Sequence, residues 1–115
     1  HRVIHALESS QWIQLTSASA DLTIYAGDFN TEPSKVPYHL IKYITHLKDC
    51  WEETHGPHAN EEGATSETSY NSFTPESVKR VCPQGKRIDY IMYTPGADTE
   101  AETRKCTLPL NKRVP

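Results

Sequence analysis

The chain has 115 residues, of which 36% are apolar and 23% charged, with 8 Pro, 5 Gly and a formal net charge of −3. This length suits one domain rather than two, and the composition is globular, which excludes disordered and fibrous classes. The mild negative charge is no footprint for nucleic acid or anionic lipid, and the basic pairs Lys79-Arg80, Lys86-Arg87, Arg104-Lys105 and Lys112-Arg113 lie among acids as solvated surface.

Val3, Ile4, Leu7 and Leu15 share one side of a 3.6-residue wheel with Gln11, which predicts an amphipathic helix over 1–16. "TSASAD" ends it. Leu22 to Ala26, "LTIYA", is a short apolar run rich in strand formers, bounded by Asp21 and Gly27, and reads as a buried strand. After "NTEPS" a second helix is expected from about Ser34. Ser34 would be its N-cap, Pro37 falls in its first turn, and Leu40, Ile41, Ile44 and Leu47 form its apolar stripe. Helix, strand, loop and helix in that order indicate layers of helix and sheet rather than a bundle.

Residues 55–72, "HGPHANEEGATSETSYNS", almost lack apolar side chains and read as a long surface excursion. "VCPQG" then turns the chain into "KRIDYIMY", residues 86–93. There Ile88, Tyr90 and Met92 alternate with Asp89, Ile91 and Tyr93, the pattern of a strand with a carboxylate in its middle. Residues 94–102 read as a polar turn and "TRKCTLPL" as a final strand. Cys50, Cys82 and Cys106 are odd in number without C-x-x-C spacing, and no N-x-S/T sequon occurs; both fit a reducing, cytosol-facing compartment. No apolar run approaches the ~20 residues that span a bilayer, and no signal peptide is recognisable. A start at His1, already inside a helical pattern, leads to the expectation that preceding residues are missing.

The stretch with most chemical content is "GDFNTEP", residues 27–33. Gly-Asp after a strand is by default a turn. Its functional reading is that the C-terminal end of a sheet strand borders the crevice where α/β folds bind ligands. Asp28 could there accept a proton from water or stand near a metal. Asn30, on the same side, could donate to a phosphoryl oxygen without adding charge. Asp89 either faces solvent or, if buried, needs a partner; its functional reading is a carboxylate that orients an imidazole. His55 and His58, among Glu52, Glu53, Glu61 and Glu62, match no structural zinc spacing and read as polar loop.

"GDFNTEP" after a strand and "GKRIDYIMY" before the expected last strand resemble the endonuclease/exonuclease/phosphatase superfamily, the DNase I-like fold. Within it, "HRVIHALESSQWIQ", "NEEGATSE", "YNSFTPES" and "PQGKRIDYIMY" resemble the neutral sphingomyelinases, over essentially the whole chain. The resemblance implies an α+β fold in which residues 1–115 are the central-to-late part of a four-layer α/β/β/α sandwich. It implies Mg²⁺ as cofactor, with its main carboxylate ligand outside this chain. The implied reaction is hydrolysis of sphingomyelin in membranes to ceramide and phosphocholine, with no nucleic-acid partner and with membrane attachment through segments not present here. Asp28 would position or deprotonate water, Asn30 would hydrogen-bond the scissile phosphoryl oxygens, and Asp89 would hold a catalytic His.

Three elements of such domains are not found in these residues: an upstream metal-binding Glu, an Asn-x-His before the first helix, and a Ser-Asp-His near the end. The 115 residues alone are therefore expected to be inactive. Position 5 is His where relatives often have Gln. Two other readings stay open: a nuclease or deadenylase relative, which a basic groove would favour, and a non-catalytic binding module using the 55–72 excursion.

Overall fold

The computed structural model describes residues 1–56 and 63–109. The elements in chain order are helix α1 (Arg2–Ser17), strand β1 (Leu22–Asp28), helix α2 (Val36–Thr45), strand β2 (Lys48–Asp49), helix α3 (Cys50–His55), helix α4 (Glu76–Val81) and strand β3 (Asp89–Pro95). The strands form an antiparallel sheet in the order β1-β3-β2. The fold is thus mixed helix and strand, with β3, the last of the described elements, at the centre of the sheet. Among the described residues, no helix is long and apolar enough to cross a membrane.

The core lies between the sheet and the α1/α2 pair. Tyr90 and Met92 of β3 meet Tyr38 and Ile41 of α2, Ala6 and Ile13 of α1, and Leu47, with Tyr25, Phe29 and Leu40 packed against them. Alternation along the strands decides this face: Tyr25 opposes Met92 and Gly27 opposes Tyr90 in the register. On the other face Ala26 opposes Ile91, and Ile24 and Ile91 remain 63% and 54% exposed. The run "LTIYA" was expected to be buried. It is instead exposed and half-buried by turns, because only one side of β1 has a helical layer over it.

Helix α1 covers the predicted span but turns a different side inward. Ala6, Ser10 and Ile13 are buried, whereas Val3, Ile4, Leu7 and Leu15 are exposed. Small residues at 6 and 10 let α2 approach closely, and the buried Ser10 hydroxyl is satisfied by donating to the Ala6 carbonyl at 2.7 Å. Helix α2 begins after Lys35 rather than at Ser34, and no side chain caps it. Pro37 does fall in its first turn, where its missing N–H costs nothing.

Two further expectations are corrected. Residues 103–109 form no strand: Pro109 cannot donate to a ladder, and the polar "TRK" lacks the apolar alternation of a paired strand. The 55–72 excursion is also more than surface. His58, Glu61 and Glu62 lie outside the described residues, but Gly63 and Thr68 are buried and Ser66 forms a β-bridge with Lys86. His55 lies at the end of α3, its ring stacked on Trp51 at 3.6 Å between centroids. Cys50, Cys82 and Cys106 are free thiols.

Candidate functional site at the β1 strand end

Strand β1 ends at Asp28, and Gly27 before it has φ +143°, a conformation in which an L side chain is strained although nothing would touch its Cβ. The chain then turns on a single side chain. Asp28 Oδ1 accepts the Asn30 backbone N–H at 2.7 Å, and Asn30 stands in the left-handed region at φ +50°. Asn tolerates that region better than most residues, for about 1–2 kcal/mol otherwise. Both Asp28 and Asn30 are exposed.

Phe29, between them, is the anchor. Its ring lies 4.7 Å from Tyr25 and 4.9 Å from Tyr90, and Tyr90 in turn lies 5.2 Å from Tyr38. Holding the middle residue in this aromatic row leaves the acid and the amide outside. The loop is also tied from below: the buried Tyr90 hydroxyl lies 2.7 Å from the Thr31 carbonyl and 2.8 Å from the Arg87 carbonyl. Burial pushes the Tyr90 phenol above its ordinary pKa, so it stays a neutral donor.

Asp89, roughly sixty residues away in sequence, is the register partner of Asp28. The Phe29 N–H donates to the Ile88 carbonyl at 2.8 Å, while the Asp89 N–H points away from β1 to Thr65 Oγ1 at 3.2 Å. Asp28 and Asp89 are therefore a non-hydrogen-bonded pair, the closer kind, with both side chains on one face of the sheet. Asp89 opens β3 rather than standing in its middle, and it is exposed. Bonding of both Ile88 and Asp89 N–H to the Thr65 hydroxyl explains the later start.

Beneath this strand end lies a buried ion pair. Arg87 Nη1 donates to Asp49 Oδ2 at 2.6 Å, and the Tyr38 hydroxyl donates to the same oxygen at 2.8 Å. Asp49 Oδ1 caps α3 by accepting from the Trp51 and Glu52 N–H groups. The guanidinium stacks 4.8 Å from the Tyr90 ring. Burial opposes its charge, but the hydrogen bond and charge of Asp49 outweigh that and raise its pKa. Burial, then the Asp49 carboxylate, likewise raises the Tyr38 phenol. One network thus joins β2, α3 and the start of β3.

Three concavities surround the strand end. Asp28 and Asn30 line a pocket of about 190 Å³ with Arg2 and His5 of α1. Asn30 also lines a cleft of about 410 Å³ with Lys35, Glu67 and Lys86. Asp89 lines a third pocket, of about 260 Å³, on the open sheet face with Ala26, Thr65 and Ile91. The structure thus brings all three expected residues to one sheet end, with Asp89 opening to a different pocket. Among the described residues, no group of three or more His, Cys, Asp and Glu side chains is placed to hold a metal ion. Sequence reasoning missed Thr65, Tyr90 and the cations Arg2, Lys35 and Lys86 at this site. Tyr90 and Lys86 lie within three residues of Asp89 and Lys35 within five of Asn30 in sequence, whereas no local signal marked Thr65 or Arg2.

Residues 1–104 match the model of the endonuclease/exonuclease/phosphatase family. Over all 115 residues the chain is 32% identical to a Drosophila melanogaster protein named "Putative neutral sphingomyelinase", covering 24% of that protein. Over 93 residues, 81% of the chain, it is 37% identical to human "Sphingomyelin phosphodiesterase 2", covering 22% of it. The mouse protein of the same name is 34% identical over 93 residues. The chain therefore spans about a quarter of the length of these curated relatives.

Proposed function

Since the chain belongs to the endonuclease/exonuclease/phosphatase family, we propose that it supplies one strand end of the catalytic crevice of a sphingomyelin phosphodiesterase. That crevice would lie within a four-layer α/β/β/α sandwich. The observation that carries this reading is the Asp28–Asn30 turn held against Asp89 by strand register. The open face of the sheet, with Ile24 and Ile91 exposed, is compatible with a second sheet packing there. The sphingomyelinase names of the relatives supply the substrate class.

In this reading water attacks phosphorus, the bond from phosphorus to the ceramide oxygen breaks, and that oxygen takes up a proton, so that phosphocholine and the ceramide alcohol leave. Asp28 takes up or directs the water's proton, for which its exposed carboxylate at a rigid strand end is suited. The Asn30 amide, preset by its left-handed backbone, donates to the phosphoryl oxygens as negative charge grows. Asp89 holds a histidine in the right tautomer. No histidine lines the Asp89 pocket among the described residues, so that imidazole is assigned to a part of the protein outside them.

Enzymes of this family generally use divalent metals, and Mg²⁺ is the ion proposed here. The described residues do not form a metal cage by themselves. When bound, it would polarise the phosphoryl group. The whole protein is proposed to work on membrane sphingomyelin from the cytosolic side.

The test is phosphocholine release from sphingomyelin micelles by the whole protein, with and without chelator. Asp28→Ala is expected to lower turnover by ~10²–10⁴, and residues 1–115 alone to release none. Turnover of the Asp28→Ala variant near that of the parent protein would reject the assignment.

A further inference from the structure

The cleft of about 410 Å³ beside Asn30 has a mixed-charge lining that the hydrolytic steps do not use. Its volume is that of a small-molecule site. Arg2, Lys35 and Lys86 bring three cations, and Glu32 and Glu67 bring two carboxylates. The two signs interleave. Lys86 is ion-paired with Glu67, and its ammonium pKa is raised by the Glu67 hydrogen bond first, with Glu32 contributing by charge. Asn30 and Glu67 hold φ of +50° and +54°, so two of the three non-glycine residues with positive φ among the described residues border the same cleft. Left-handed backbone at such residues persists only where the surroundings impose it, and it concentrates at ligand clamps.

We infer that this cleft binds the zwitterionic phosphocholine head of the substrate. Lys35, Arg2 and the Asn30 amide would take the phosphoryl oxygens, and Glu32 and Glu67 the quaternary ammonium.

The chemistry of the head matches the lining group by group. A trimethylammonium group has no N–H and cannot be recognised by hydrogen bonds, so a site must offer negative charge and apolar contact. Aromatic cages are the usual solution. Here carboxylates do the same with the methyl-sized apolar surface of Val36, Pro37 and Ile88. An ordinary surface ion-pair cluster would neutralise itself and need no concavity. This one surrounds a cleft and shares Asn30 with the reaction centre. The inference rests on the sphingomyelinase reading, but its test does not require turnover.

The test titrates the whole protein with phosphocholine and, separately, with glycerol 3-phosphate, which keeps the phosphate and lacks the quaternary ammonium. The parent protein is expected to prefer phosphocholine. The double variant Glu32→Gln, Glu67→Gln should lose that preference by about tenfold, the sum of two ion pairs at the upper end of the surface range because both carboxylates are half-buried, while its affinity for glycerol 3-phosphate does not fall. Lys35→Gln should weaken both ligands alike. Lys35 is exposed and both glutamates are half-buried, so an unchanged Tm is the check that the fold is intact. Equal binding of the two ligands by the parent protein, or a preference that survives the double variant, overturns the inference. Hydrolysis of sphingomyelin is measured on the same samples. Loss of hydrolysis with the binding preference intact counts against the proposed reaction and not against the cleft.

Discussion

Replacing Asp89 by Asn should make the protein slightly more stable and far less active. Asp28 and Asp89 oppose each other at a non-hydrogen-bonded position of the β1–β3 pair. Side chains at such positions have their Cβ atoms about 4.5–5.5 Å apart. Two unit charges about 5 Å apart repel by about 0.8 kcal/mol in a water-like dielectric. Both residues are exposed, so the water value applies rather than the interior one, and salt screens it further. An amide at 89 removes the repulsion while keeping shape and strand pairing. The expected gain is about 0.5 kcal/mol, a Tm rise of roughly 1–4 °C depending on the size of the unfolding unit. It should shrink as ionic strength rises. Turnover on sphingomyelin should fall by ~10²–10⁴, because an amide cannot stabilise an imidazolium. Differential scanning calorimetry at two salt concentrations and a phosphocholine-release assay read the two effects separately. Activity within threefold of the parent, or a clear loss of stability, would refute the argument, the second by showing that Asp89 makes an attractive contact.

Asn30→Gly should lose ~10²–10³ in turnover with stability preserved, since glycine accepts φ +50°. Asn30→Ala should lose as much activity and also about 1 kcal/mol of stability through the left-handed backbone, so comparing their urea midpoints isolates the strain. Asp49→Ala should cost about 3–5 kcal/mol in urea unfolding, because it removes the buried carboxylate to which Arg87 and Tyr38 both donate. Glu53 gives a pH signature. Burial acts to raise its pKa, but hydroxyl donation from Tyr93 and Thr103 outweighs this and holds it below the ordinary glutamate value. A lowered folded-state pKa adds stability above the unfolded value and loses it as pH falls through the folded one. The Tm gap between the parent and Glu53→Gln should therefore be open at pH 7 and close below about pH 4.

Local pattern alone located much of this chain. The span of α1, the Pro37 turn of α2, the existence of β1 and β3, and the turn at Asp28–Asn30 all follow from periodicity, strand formers and chain breakers, which act over a few residues. The hydrogen bond that closes the "GDFN" turn is local in the same sense, since Asp28 accepts the Asn30 N–H two residues on. What sequence could not determine depends on partners far along the chain. Which side of α1 faces inward is decided by how closely α2 can approach Ala6 and Ser10, so Val3, Ile4, Leu7 and Leu15 stay outside despite being the more apolar set. The late start of β3 depends on Thr65, more than twenty residues earlier, taking the Ile88 and Asp89 N–H groups. The site itself is tertiary. Asp89 reaches Asp28 only because β3 inserts antiparallel between β1 and β2, and Tyr90 can tether the Thr31 carbonyl only from that register. Pairing across a sheet costs loop-closure entropy that no local pattern encodes, and it is recovered only when the aromatic row and the Arg87–Asp49 pair are buried together.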